Sequence, residues 1–163
     1  MDTAVDFTSI NAVISGFGDY IGLPGLQLDD DGQCTLSFDE TVLTFRHDRA
    51  RGGLLLQAEI TEIAAQADPS FFRHVLDANR ISVQLATGTL AMDGDSLVWL
   101  DRIAAEGLTQ DSFQTHLQAA LDHIESWKAL LAHPADIGNG IPLPTLADDP
   151  SAEEANSSLI LRP

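Results

Sequence analysis

"DDDGQCTLSFDE", Asp29 to Glu40, is the stretch on which the fold turns. Its acids Asp29, Asp31 and Glu40 stand at the first, third and twelfth places of a calcium loop. Such a loop also needs a sharp bend at its sixth place and a helix on each flank. Cys34 occupies the sixth place, Gly32 comes two residues too early, and the flanking residues alternate like strands. The stretch therefore predicts a solvated "DDDG" turn feeding a strand, with a metal-binding role for Asp29, Asp31 and Glu40 as the alternative.

Working outward, "CTLSF", "TVLTFRH" and "LLLQAEI" are separated by "DE" and "DRARGG". Leu36 and Phe38 share one face, Leu43 and Phe45 one face of the next strand, and Val42, Thr44 and Arg46 its other face. The pattern predicts an antiparallel meander. Upstream, Phe7, Ile10, Ile14, Phe17 and Ile21 step by three and four, predicting a helix that ends near Gly18, before "GLPGL". Downstream, "DPSFFRHVLDANR" predicts a short helix with Phe72, Val75, Leu76 and Asn79 along one side. "ISVQLATGTLAM" and "SLVWLDRI" then predict a hairpin turning at Gly94. A last helix is capped by Thr109 and carries Phe113, Leu117, Ala120, Ile124, Trp127 and Leu131. The predicted fold is α+β, three helices packed on a curled antiparallel five-stranded sheet in the order α-β-β-β-α-β-β-α. Residues 1–133 form the domain, and residues 134–163, rich in Gly, Pro, Ser and acids, read as a tail without a core.

Twenty-five acidic residues against 8 Lys plus Arg give the 163-residue chain a formal charge of −17. That field repels nucleic acid and anionic membranes and attracts basic peptides. One cysteine, Cys34, permits no intrachain disulfide, and its apolar alternating context favours a packed side chain over a nucleophile. The N-terminus has acids where a secretory signal carries Lys or Arg, and no apolar run has spanning length, so a cytoplasmic location is expected.

Catalytic motifs are missing from the sequence: there is no HExxH, GxSxG, P-loop, or GxGxxG after a strand. His116 and His123 lie two helical turns apart, too far to share an ion without a bent partner. A shallow enzymatic site would have to gather His47, His74 and Glu59 from separate elements. The reading is a non-enzyme that needs no cofactor, with apolar stripes and sheet edges left for a second copy or a peptide.

In "IGLPGLQLDDDGQCTLSFDE", "LLLQAEI", "FFRHVLDANR", "ATGTLAMDGDSLVWLDRI" and "LTQDSFQTHLQAALDHIESWKALL", the order and spacing resemble the class I chaperones of bacterial type III secretion, the Tir-chaperone or CesT-like group. That resemblance implies a bacterial, cytoplasmic homodimer holding a secreted effector's N-terminal region in extended form, with a secretion ATPase as a further candidate partner. It implies a dimer interface on the second helix and the strand after it, here Phe72, Val75, Leu76, Ile81 and Val83. It also implies effector-binding patches at Phe7, Ile10, Leu26, Leu28, Leu36 and Phe38. The segment "IPLPTL" in the tail is a candidate to fold back over an apolar groove.

Overall fold

The computed structural model describes residues 3–63, 68–85 and 88–132. The predicted 134–163 tail and its "IPLPTL" segment lie outside the described residues. Three helices and five strands follow one another as α1 (Thr3–Tyr20), β1 (Gln33–Phe38), β2 (Thr41–His47), β3 (Gly53–Glu62), α2 (Pro69–Leu85), β4 (Thr89–Asp93), β5 (Ser96–Ala104) and α3 (Gln110–Ala132). The predicted architecture and element order are the observed ones.

All strand pairs are antiparallel, in the spatial order β1-β2-β3-β5-β4. Asp39, with φ of 50°, and Glu40 make the two-residue turn that joins β1 to β2. Register fixes which side chains share a face. Leu36 pairs with Leu43, Leu43 with Ala58, and Ala58 with Trp99, so one face is a continuous apolar surface. Helices α1 and α3 cover it: Phe113 of α3 lies 5.4 Å from Phe17 of α1 and 5.8 Å from Phe45 of β2, ring centre to ring centre. Trp99, Leu43, Leu54, Leu56 and Ile124 are wholly buried in this layer, and their removal from water is the main favourable contribution to folding.

Two boundaries differ from the sequence expectation. Helix α1 runs two residues past Gly18, because that glycine is a contact point: a Cβ there would sit 2.5 Å from Leu26 Cβ and 2.7 Å from Leu23 O. Helix α2 extends through Leu85, so "ISVQL" is helical where β-branched residues suggested a strand. Ser82 is buried like Val75 and Ala78, continuing their helical stripe. The break comes at Gly88, whose φ of 77° and close seat on the Trp99 ring exclude other residues.

Candidate functional site

The effector-binding residues expected from the sequence divide by depth. Ile10, Leu28 and Leu36 are core residues, 1%, 3% and 8% exposed. Phe7, Leu26 and Phe38 are half-buried at the rim of the same core, with the Phe7 ring 5.2 Å from that of His47. Apolar alternation alone cannot separate a core residue from its rim neighbour. Of the expected dimer residues, Val75 is buried, Phe72 is half-buried, and Leu76 is 66% exposed beside no described cover. Ile81 and Val83 stand on α2 rather than on a strand; their side chains lie outside the described residues. Met92 on β4, 46% exposed, adds an apolar surface that sequence reading did not single out.

The acids of the calcium alternative do not converge. Asp29 Oδ1 accepts hydrogen bonds from the amides of Asp31 (3.0 Å) and Gln33 (2.8 Å), closing the turn in front of β1. Glu40 stands beyond the far end of that six-residue strand, roughly 20 Å away at about 3.3 Å per residue. His47 faces the helices on β2, Glu59 points from the opposite face of β3, and His74 is on α2. They share no site.

Three open features remain. The first is the edge of β1. Gly32 O accepts from His47 N, so by antiparallel alternation Thr35 and Ser37 turn their backbone groups outward. Gln33 faces the same way but is occupied, since its N–H reaches Asp29 Oδ1 and its carbonyl accepts from Asp29 N at 2.7 Å. The edge at the other end of the sheet is capped at Leu90: Asn79 Nδ2 donates to Leu90 O and its Oδ1 accepts from Leu90 N, both at 2.7 Å. One amide side chain thus imitates a neighbouring strand at β4. The signal was a polar residue within the apolar stripe of the second helix.

The second feature is the sheet face turned away from α1 and α3, which carries no helix among the described residues. A groove of about 620 Å³ lies there, lined by Glu40, Val42, Thr44, Gln57, Glu59, Ile60, Asp93, Ser96, Val98 and Lys128. Ile60, at the bulge between Glu59 and Thr61, borders the groove but is itself buried in the core, 8% exposed. The Lys128 ammonium is held at one wall by Thr41 Oγ1 (2.7 Å) and Glu40 O (3.2 Å), and Thr41 Oγ1 donates in turn to Glu125 Oε1 (2.7 Å). The third feature is the α2–β4 surface around Leu76 and Met92.

Titratable groups elsewhere serve the scaffold. His116 Nε2 lies 2.7 Å from Asp101 Oδ2, linking α3 to β5. Burial holds the pKa of nearby His123 below its ordinary value, against the opposing pull of Asp101 and Asp122. Burial also pushes the Cys34 thiol up, with Asp29 adding to the effect. Burial would raise Asp48, but hydrogen bonds from the Arg51 and Ala50 amides and from Arg102 more than offset it and hold its carboxyl low. No group of three His, Cys, Asp or Glu among the described residues could hold a metal ion, and no described helix is long and apolar enough to cross a membrane.

The model of the Tir chaperone protein (CesT) family matches residues 12–128. The chain belongs to that family. The transcriptional anti-antiactivator ExsC of Pseudomonas aeruginosa is 34% identical over 136 residues, 81% of this chain and 92% of that protein. The crystal structure of the ExsC–ExsE complex superposes with a TM-score of 0.69 at 30% identity, covering 77% of this chain and 95% of that one. The HopA1–SchA chaperone–effector complex gives a TM-score of 0.66 at 20% identity over 79% of this chain and 98% of that one, a likeness of fold alone. This CesT-family chain is thus related to type III secretion chaperones, a family whose members are non-enzymatic in kind.

Proposed function

We propose that this protein is a cytoplasmic bacterial chaperone of type III secretion, which binds the N-terminal region of a secreted effector in extended form and keeps it soluble for export. The observation that carries the reading is the match to the ExsC–ExsE complex at 30% identity over 77% of the chain, a likeness of sequence as well as fold. The open β1 edge supports it physically. An extended segment adds backbone hydrogen bonds at Thr35 and Ser37, while its alternate side chains reach the rim residues Phe38 and Leu26. The working unit is a homodimer joined through Leu76, Phe72 and Met92, since exposed apolar side chains on adjoining elements are the natural seam for a second copy. Delivery to a secretion ATPase follows from the same role.

A test is co-expression with each secreted protein encoded beside its gene. The expected result is a soluble complex in which the effector's N-terminal segment resists protease while the chaperone is bound. Insoluble effector with the chaperone eluting alone, for every such candidate, would reject the reading. A second, regulatory reading rests on the 34% identity to a protein named as a transcriptional anti-antiactivator: the chain opposes an antiactivator by binding it. Loss of promoter activity on deleting the gene, restored by also deleting the antiactivator, would support that reading, and an unchanged promoter would exclude it.

A further inference from the structure

The open face of the sheet is electrically polarised along its strands. Arg46 pairs in register with Leu55, and Leu55 with Arg102, so two guanidinium groups flank a half-buried leucine at one end. The adjoining hairpin adds Arg49 and Arg51, placing four of the chain's 8 Lys and Arg in one region. Asp48 is shared by Arg102 (3.2 Å) and Arg51 (4.0 Å), leaving Arg46 and Arg49 without an ion pair among the described residues. Four residues along β3, Glu59 pairs with Val98. Together with Glu40 and Asp93 it gives the groove at that end three carboxylates against the single, already engaged Lys128. Between the ends lie uncharged side chains, with Thr44 opposite Gln57 and Gln57 opposite Leu100, while the 53% exposed Val42 stands beside Glu59 at the acidic end.

We infer that this face docks one kind of partner segment: an extended stretch of the bound protein with a basic residue, an apolar residue and an acidic residue at every second position. The spacing follows from the strand. Four residues span roughly 13 Å, and in an extended peptide residues two and four apart point the same way. The basic residue meets Glu59 and Asp93, the apolar one rests near Leu100, and the acidic one meets Arg46. In a chain of charge −17, a mostly positive ligand would satisfy the overall field but not the arginine end. The inference rests on the reading that the protein carries an extended segment, and adds the order of charges that this face selects.

The test uses the full chain and two synthetic peptides of one composition. In the first, paired lysines, a Val-Leu-Val centre and paired glutamates follow one another; in the second the same residues are scrambled so that the charges alternate. The segregated peptide is expected to bind about tenfold more tightly. A spin label at its lysine end should broaden the amide signals of Val42 and Val98, and one at its glutamate end those of Arg46 and Leu55. The double variant Glu59→Lys with Arg46→Glu lies on the surface. It should lose that preference while keeping the circular dichroism spectrum and melting curve of the parent. Equal binding of the two peptides, or the same footprint from both labels, would overturn the inference. Either result leaves the chaperone reading intact, because co-expression decides that one separately.

Discussion

Asn79 shows how a single side chain can cap the edge of a sheet at one residue. Its amide satisfies both backbone groups of Leu90, which would otherwise offer themselves to another strand. Asn79→Ala is expected to cost about 1–3 kcal/mol, the penalty of leaving partly buried polar groups unpaired. Chemical denaturation would measure the cost, and faster hydrogen exchange at the Leu90 amide would locate it. His123 gives a pH signature. Its folded pKa lies below the ordinary 6.5, so the unfolded chain takes up the proton first as pH falls. Stability should therefore decline as pH drops through 6.5 toward the lower folded value. The variant His123→Gln should show a smaller decline over that window in thermal melts; an unchanged slope would assign the effect to another group.

At the scale of elements, the parts set by hydrophobic period were legible in the sequence, and the parts set by contact between distant residues were not. Strand β2 was read to its observed ends because Leu43 and Phe45 alternate with Val42, Thr44 and Arg46, and α3 because its stripe is long and Thr109 caps it. The Thr109 and Ser112 side chains do hydrogen-bond each other's backbone amides, at 3.0 and 3.2 Å. The end of α2 was hidden, since "ISVQL" satisfies strand propensity locally and only the helical stripe it shares with Val75 and Ala78 overrides it. Gly88 carries the true break. Gly88→Ala should destabilise by more than about 1 kcal/mol, as it places a Cβ in a left-handed conformation against Trp99; a neutral melt would refute that role. The candidate site was legible only as chemistry. Phe7, Leu26 and Phe38 were named together with Ile10, Leu28 and Leu36, because alternation marks apolar residues without revealing which ones the helices cover.

For the whole molecule, acidity and architecture have separate consequences. The charge of −17 keeps copies apart at long range, and salt screens it within about 10 Å at 0.1 M. The proposed apolar seam at Leu76, Phe72 and Met92 would act at contact and should hold two copies together at either ionic strength. Leu76→Asp places a charge in that seam and is expected to shift the protein toward the monomer without unfolding it, as followed by sedimentation. The account's central claim is that this CesT-family chain is a dimeric carrier of an extended segment. Hydrogen exchange on the chain with and without its co-expressed secreted partner, on complexes sized by light scattering, tests that claim most directly. The account predicts a complex containing two 17.5 kDa chains, with new protection at the Thr35 and Ser37 amides and none at Leu90. A complex with a single chain, or one that leaves the β1 edge exchanging as before, would contradict it.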